Sequence, residues 1–460
     1  MANRLFGTDG IRGRAGVYPL DASTIQAATE AAAARAAARL PGRPFLVARD
    51  TRASGPWITR QVVAALERAG VPLLDAGVLP TPAAAGLILD LGCCGGMVIS
   101  ASHNPAEDNG LKFFTDRGFK LSTAEEAAIA VRVVERPVPA RTSAETPLAD
   151  GSGRFHVAPD LLGRYVAGLL NRCPLDGLPP TTRVVIDCAH GASTPAVLAL
   201  VDCAAFRLQA ICAEPDGFNI NHDCGATRPE RVAAAVAAAR ADLGFALDGD
   251  GDRIMACDAT GRILDGDALL YVFADHLRSR GQLTGQTVVG TIMTNLGLEK
   301  ALAGWGIRLE RTPVGDRHIQ ARMLDGALAL GGEPSGHLIL QSPAMTGDGL
   351  LAGLFLLHIL AVTRRPLADL LAGYQPFPSR VFNLRAERKP PLESLPPVRA
   401  LDALLARSGG RTVIRYSGTE PLLRIMVEAR ELESLQSAMD ALLEELKGMV
   451  QPGNSTAAGN

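Results

Sequence analysis

The chain has 460 residues, a formal net charge of -2, 47% hydrophobic and 20% charged residues, 48 Gly and 30 Pro. That length suggests about three domains of roughly 150 residues each, and the composition is that of a globular α/β protein rather than a disordered one. The near-neutral charge excludes a general nucleic-acid binder, whose affinity comes from clustered excess Lys and Arg.

The N-terminus has no basic region followed by an apolar segment, so no secretory leader is expected. The first glycine-rich loop, GTDGIRG at Gly7 to Gly13, holds Arg12 but has neither the Walker nor the dinucleotide spacing, and no nucleotide cradle is expected. The Ala-rich stretch Asp21 to Leu40 reads as a helix capped by Asp21 and stopped at Pro41 and Gly42. Three segments then read as strand, small-residue loop and helix: Phe45 to Ala48 leading to Ile58 to Ala69, Val184 to Asp187 leading to Pro195 to Leu200, and Val288 to Gly290 leading to Leu296 to Ala303. Such alternation favours parallel α/β layers. The most apolar helix, Gly349 to Val362, contains His358 and is shorter than the ~20 residues of a membrane span. A cytoplasmic protein without membrane association is expected. The eight cysteines include no C-x-x-C pair and read as reduced core residues.

Pro137 to Gly153 and Tyr374 to Pro378 read as linkers. With a softer break after an aspartate run, they divide the chain into 1–150, 151–255, 256–372 and 373–450, followed by a polar tail, 451–460, expected to be disordered. That is four units, against the three suggested by length.

Four short runs carry residue sets suited to phosphate chemistry. In SASHNP (Ser100 to Pro105), Ser102 follows the buried strand Met97 to Ile99. In open α/β sheets that strand end is where ligands bind, and a serine hydroxyl can carry a phosphoryl group as a phosphoester. The competing reading is a turn or helix cap made by Ser102, His103 and Asn104 before Pro105. Asn109 and Gly110 read as a two-residue hairpin turn, and alternation beyond it puts Lys112 on the face opposite Leu111 and Phe113. Lys112 could stabilise transferring charge or, if desolvated enough to lower its pKa, exchange a proton with a sugar hydroxyl.

Asp248, Asp250 and Asp252 alternate with glycines after the strand Leu243 to Leu247, a pattern that needs a cation to neutralise it. An EF-hand is excluded, because Arg253 stands where that loop wants Gly and Ala259 where it wants Glu. All-oxygen ligands beside a phosphate favour Mg²⁺. Glu333, Ser335 and His337 alternate in a glycine-rich loop and suit sugar hydroxyls. Arg415, Ser417, Gly418 and Thr419 offer a guanidinium, two hydroxyls and backbone N–H groups that can converge on a phosphate. An ordinary exposed turn would explain that last run equally well.

Taken in order, LFGTDGIRG, ISASHNP with DNGLKFF, ALDGDGDR, GGEPSGH and RYSGTEPLLRIMVE closely resemble the α-D-phosphohexomutase family over about Leu5 to Glu428. NINHDCGAT, TNLGLE and VGDR make the chain most similar to the hexosamine-phosphate branch. The resemblance implies three related mixed or parallel-sheet α/β domains and a smaller C-terminal α+β domain that grips phosphate, around a central cleft, with a mobile C-terminal unit. It implies a catalytic set of Ser102, the phosphorylated residue, with Lys112, Arg12 and His103. Mg²⁺ would be held by Ser102, Asp248, Asp250 and Asp252, the sugar by Glu333, Ser335 and His337, and the phosphate not being transferred by Arg415, Ser417, Gly418 and Thr419. Hexosamine phosphate and a hexose bisphosphate are the implied partners, in a homodimer whose product serves UDP-N-acetylglucosamine and cell-wall synthesis. Two positions depart from the family pattern: Pro334, where Gln or Met is usual, and Tyr416, where Pro is common. A phosphomannomutase or phosphoglucomutase is the nearest alternative, and a phosphoserine-type phosphatase, which would release free phosphate without isomerised product, or a silent sugar-phosphate sensor lies further off.

Overall fold

The computed structural model describes residues 5–7, 9–135, 155–157, 160–341, 344–417 and 421–451. The expected linker Pro137 to Gly153, nearly all of the tail 451–460, and Gly418 and Thr419 lie outside the described residues. The chain divides into one unit of Met1–Thr291 with Thr312–Leu371 and another of Ile292–Arg311 with Ala372–Asn460. Four sheets organise it as an α/β protein.

The first sheet is built from β1 (Ile11–Arg14), α1 (Ala22–Arg39), β2 (Phe45–Arg49), α2 (Gly55–Ala69), β3 (Leu73–Val78), α3 (Thr81–Asp90), β4 (Gly95–Ile99), β5 (Asp108–Thr115), α4 (Thr123–Glu135) and β6 (Phe155–Val157). Its strand order is β1-β5-β4-β2-β3-β6, with β5 antiparallel to both β1 and β4 and the remaining neighbours parallel. The central strands are unbroken apolar runs because helices cover both faces. Phe45 and Val47 of β2 pack with Ile25 of α1, Val62 of α2 and Ile129 of α4. Leu46 and Ala48, pointing the other way, pack with Leu87 and Ile88 of α3. Asp21 caps α1 as expected, its Oδ1 accepting from Thr24 N at 3.0 Å.

Asn109 and Gly110 do not form a hairpin turn. They lie inside β5, opposite Gly13 and Arg12 of β1. Buried Asn109 donates to Ser54 Oγ at 2.8 Å and accepts from Gly110 N at 2.8 Å. A Cβ at position 110 would come within 2.6 Å of the Ser100 carbonyl oxygen. Close packing of three backbone segments, rather than turn geometry, selects this pair.

The second sheet follows from α5 (Leu161–Arg172), β7 (Arg183–Asp187), α6 (Thr194–Cys203), β8 (Arg207–Ile211), α7 (Glu230–Ala239), β9 (Leu243–Leu247), β10 (Ile254–Asp258) and β11 (Ile263–Leu264). Its order is β11-β10-β9-β7-β8. β7 is parallel to β8 and β9, whereas β10 returns antiparallel to β9, so the aspartate run is the tight connection between two buried strands.

After α8 (Gly266–Ser279) and β12 (Thr287–Thr291) the chain enters the second unit with α9 (Leu296–Ala303) and most of β13 (Arg308–Thr312). It returns as α10 (Asp316–Gly326), β14 (Leu330–Gly332), β15 (Leu338–Leu340), α11 (Gly349–Thr363) and α12 (Leu367–Leu371). β14 is parallel to β12 and antiparallel to β15. The apolar α11 is buried along most of its length, and among the described residues no helix is long and apolar enough to cross a membrane.

Asp348 caps α11, accepting from Leu351 N at 2.9 Å and from the Tyr165 hydroxyl at 3.0 Å. Burial outweighs these bonds and pushes its carboxyl up to about 6. A raised carboxyl stabilises the fold fully below the unfolded value near 3.8 and loses that contribution as pH climbs through about 6, a swing of about 3 kcal/mol. Asp348→Asn keeps an acceptor for the cap without the charge. Denaturation of this variant between pH 4 and 7 is expected to lose that slope and to show higher stability than the parent at pH 7; an unchanged slope would refute the assignment.

The second unit continues with β16 (Ser379–Arg385), α13 (Pro396–Arg407), β17 (Arg411–Tyr416), β18 (Leu422–Glu428) and α14 (Gln436–Val450). Its antiparallel sheet, β16-β18-β17, packs one face on α13 and α14 through Leu401, Leu405, Ile425, Met439 and Leu446. Buried Glu428 ties Ile292–Arg311 into this unit, accepting from Leu296 N and Arg411 Nε, each at 2.7 Å.

Candidate active site

The strand β4 delivers Ser102 to a loop that the rest of the unit holds rigidly. Ser102 is 2% exposed and sits at φ 54, in the left-handed region that costs a non-glycine residue about 1–3 kcal/mol. Its conformation is imposed by its neighbours. Its N–H donates to Ser100 Oγ at 2.9 Å, and its carbonyl accepts from Arg52 at 3.0 Å and from Asn221 Nδ2 at 2.9 Å. Arg52, wholly buried and paired with Asp50 at 2.9 Å, also donates to the carbonyls of Asn104 and Pro105. Gly249 permits the approach of the aspartate loop, since a Cβ there would come within 2.6 Å of the Ser102 carbonyl oxygen.

This scaffold aims the Ser102 hydroxyl at the aspartate run, where it donates to Asp248 Oδ2 at 2.7 Å. His103 Nδ1 lies 3.3 Å from the same oxygen. Burial, then the guanidinium groups of Arg253 and Arg12, push His103 down to about 4, so its imidazole is neutral at pH 7.

Oxygens of Asp248, Asp250 and Asp252 converge within 4.8 Å of one another, all buried. Asp248 Oδ1 accepts from Arg253 N at 3.1 Å, and Thr81 supplies both its N–H, at 2.9 Å to the Asp250 carbonyl, and its hydroxyl to Asp250 Oδ2. Asp250 Oδ1 and Asp252 Oδ1 are buried without a hydrogen bond. Burial and the charges of Asp252 and Asp250 push the Asp248 carboxyl up to about 8. Three crowded carboxylates with unused oxygens are the donor set of a hard divalent cation.

Cations surround this cluster. Lys112, 1% exposed, lies 2.8 Å from Asp250, 3.0 Å from Asp9 and 3.4 Å from Asp252. Burial alone would lower its pKa, but these carboxylates outweigh it and hold the amine well above the ordinary lysine value. These carboxylates favour the charge-stabilising reading of Lys112 over the proton-exchanging one. Asp9 gathers Lys112, Lys120 at 2.6 Å and Arg12 at 2.8 Å, and Arg12 also reaches the Ala101 carbonyl at 3.3 Å. Burial would raise the Asp9 carboxyl, yet these three cations keep it well below the usual range.

The loop between β14 and β15 brings Glu333 and His337 into the unit and leaves Ser335 exposed. Glu333 Oε1 accepts from Gly315 N at 3.0 Å and Oε2 from Ser335 Oγ at 3.4 Å. His337 turns toward the acidic groups, with Nδ1 3.8 Å from Asp252 and Nε2 3.7 Å from Asp316. Burial would lower its pKa, but those carboxylates raise it. Gly336, at φ 87, lets the loop lie on β10, its carbonyl accepting from Ile254 N at 3.0 Å; a Cβ would collide with the Ile254 carbonyl oxygen. Gly336→Ala is expected to cost about 1–3 kcal/mol and to displace Glu333 and His337. Thermal denaturation with sugar-phosphate KM would check this, and an unchanged melting point with unchanged KM would refute it.

Arg415 and Ser417 belong to the second unit. Arg415 lies directly opposite Arg424 across β17 and β18, so two guanidinium groups share a sheet face with Asn383. Ser417 is buried, and its carbonyl accepts from Lys389 at 3.2 Å.

Thus Ser102, His103, Arg12, Lys112, the three aspartates, Glu333 and His337 are placed together or in adjoining positions in the first unit. Sequence reasoning missed Asp9, Asp50, Arg52, Lys120, Arg253, Asn221 and Asp316 as parts of this network. Asp9 and Asp316 lie within glycine-bearing runs, GTDGIRG and VGDR, which was the available signal. Arg52 had none, because a single arginine in a loop reads as solvated.

Sequence profiles of phosphoglucomutase/phosphomannomutase domains match this chain in series: α/β/α domain I over residues 3–136, domain II over 164–261, domain III over 265–377 and the C-terminal domain over 384–445. A phosphoglucosamine mutase of Rhodococcus opacus (strain B4) is 42% identical over 447 residues, covering 95% of this chain and 98% of its own. The crystal structure of a phosphoglucomutase/phosphomannomutase family protein from Burkholderia thailandensis aligns with a TM-score of 0.78 at 25% identity, covering 98% of each chain. Aspergillus fumigatus N-acetylphosphoglucosamine mutase, crystallised in complex with GlcNAc-6P and magnesium, aligns with a TM-score of 0.68 at 19% identity over 97% of this chain and 96% of its own, a likeness of fold.

Proposed function

The chain belongs to the phosphoglucomutase/phosphomannomutase family, and from that premise we propose that it interconverts glucosamine 6-phosphate and glucosamine 1-phosphate through a phosphorylated Ser102. The observation that carries the reading is the strained, buried Ser102 hydroxyl, 2.7 Å from one member of a three-aspartate cluster that Lys112 pairs with, 3.3 Å from a neutral His103, and next to the Ala101 carbonyl that Arg12 reaches.

Ser102 attacks phosphorus or carries the phosphoryl group, splitting one transfer into two. The phosphoserine gives its group to the free sugar hydroxyl, a hexose bisphosphate forms and turns over, and its other phosphate returns to Ser102. Lys112 and Arg12, both fixed by Asp9, hold positive charge beside the transferring group, so little reorganisation accompanies the reaction. As the bond from the sugar oxygen to phosphorus forms and the Ser102 Oγ–phosphorus bond breaks, the sugar hydroxyl's proton passes to Ser102 Oγ, and neutral His103 Nδ1, 3.3 Å from that oxygen, is placed to relay it. Glu333, Ser335 and His337 orient the sugar. Asp248, Asp250, Asp252 and Ser102 fit Mg²⁺, given the unused buried oxygens of Asp250 and Asp252. When bound, Mg²⁺ would offset charge on the phosphoryl oxygens. The reading carries with it a cytoplasmic homodimer.

The test is turnover of glucosamine 1-phosphate, with Mg²⁺ and a trace of hexose bisphosphate, beside glucose and mannose 1-phosphates. A higher kcat/KM for the amino sugar is expected. Equal or better use of glucose or mannose would overturn the amino-sugar assignment in favour of a phosphoglucomutase or phosphomannomutase, and would direct attention to half-buried Pro334 in the sugar loop. Phosphate release without isomerised product would overturn the mutase reading itself.

A further inference from the structure

Outside this site, a second cluster of reactive side chains lies at the end of the second sheet. The ligating atoms of His190, Cys212 and Cys224 fall within 4.8 Å of one another. Cys212 directly follows β8 and is half-buried at φ 48; Cys224 is fully buried. Each end of the intervening loop is anchored to β7 or the turn beyond it. The Cys212 carbonyl accepts from His190 N at 2.7 Å, and Gly225 N donates to Asp187 Oδ2 at 3.0 Å.

Two chemistries suit a His-Cys-Cys group: a soft metal, or a thiol pair that oxidises. The partners decide between them. Arg231 donates from Nε to Cys212 Sγ at 3.1 Å, placing a guanidinium charge where a metal cation would be repelled and a thiolate favoured. His190 Nδ1 is already accepting from Glu214 N at 3.2 Å. We propose that Cys212 and Cys224 are a peroxide-reactive thiol pair, Cys212 attacking and Cys224 resolving, which closes a disulfide across the loop between them.

The Cys212 thiolate attacks one peroxide oxygen; an S–O bond forms, the O–O bond breaks, and hydroxide leaves and takes up a proton as water. Sulfur is oxidised and hydrogen peroxide reduced. The Cys224 sulfur then attacks the Cys212 sulfenic acid; the S–S bond forms, the S–O bond breaks, and the hydroxyl departs with the Cys224 proton as water. The remaining environments support this selectivity. The hydrogen bond between the two thiols lowers the Cys212 pKa, joined by Arg231, and raises that of Cys224, which makes Cys212 the attacking thiol and Cys224 the one that keeps its proton, whereas burial pushes Cys93 and Cys173 up to about 12 and Cys94 and Cys257 up to about 11. The loop so closed contains Asn221, which donates to the carbonyls of Ser102 and Asn104 at 2.9 and 3.1 Å, and Gly217, whose carbonyl accepts from Ala53 N at 2.9 Å. Oxidation would therefore act on a segment that holds the Ser102 loop.

The experiment treats the full chain with hydrogen peroxide, alkylates it and examines the tryptic peptide that begins at Leu208 and contains both cysteines. The expected result is a peptide that has lost two hydrogens and resists alkylation until dithiothreitol is added, while exposed Cys203 stays alkylatable. Cys224→Ala should stop at a sulfenic acid on Cys212 that dimedone captures. Arg231→Gln, an exposed change that spares the fold, should slow oxidation about tenfold. Both cysteines remaining alkylatable while Cys203 oxidises would overturn the proposal. So would protection that a chelator reverses with no loss of hydrogens, the behaviour of a metal site.

Discussion

Ser102→Ala is expected to abolish mutase turnover, by on the order of 10⁴-fold or more, because a nucleophile that carries a covalent intermediate has no substitute in the site. The variant should fold. The lost hydroxyl contacts Asp248 Oδ2 and, at 3.3 Å, His103 Nδ1, and Asp248 retains Arg253 N as a donor to Oδ1. Melting temperature should therefore move little, separating chemistry from stability. Incubation with hexose bisphosphate and intact-mass measurement should give a phosphorylated parent and an unphosphorylated variant. Turnover within about tenfold of the parent would overturn the assignment, as would phosphate appearing elsewhere in the chain.

Arg52→Ala should be the most destabilising single change in this network, by about 3–5 kcal/mol, because it removes one half of a wholly buried ion pair and leaves the other uncompensated. Burial raises the Asp50 carboxyl even with Arg52 present, so without it the charge has only Ser100 Oγ, at 2.6 Å, and the backbone N–H of residue 52. Three loop carbonyls each lose one of their donors at the same time, Ser102 and Asn104 keeping only Asn221 Nδ2 and Pro105 only Asp108 N. A shift of about 1 Å in a reacting group can cost on the order of 10²-fold in rate. Turnover should thus fall with stability although Arg52 touches no substrate. Arg52→Lys restores charge but cannot reach the same set of acceptors, and should recover part of the stability and less of the activity. Urea denaturation alongside kcat would check both; a loss below about 1 kcal/mol would show that water or another donor replaces the guanidinium.

The groups that do the proposed chemistry were legible in one dimension because each depends on local pattern. A strand of Met97 to Ile99 that stops at a serine, and three aspartates alternating with glycines after Leu243 to Leu247, need only strand periodicity and charge crowding to be recognised. The same holds for the alternation of strands and helices, for the Asp21 cap, and for burial of the apolar helix that begins at Gly349.

What sequence alone left undecided depended on which distant groups face each other. Asn109 and Gly110 have the composition of a turn but lie in a strand, because β1 and the Ser100 backbone press on them from two sides. Lys112 could be a base or a cation; Asp9 and Asp250, far from it in the chain, favour the cation. Arg52 and Asn221 were invisible as supports, since only folding brings them to the Ser102 carbonyl. Residue type and spacing thus determined which chemistry the chain can perform. Tertiary structure decided protonation states and the strained serine conformation, because desolvation and Coulomb terms belong to the assembled neighbourhood rather than to any local run of residues.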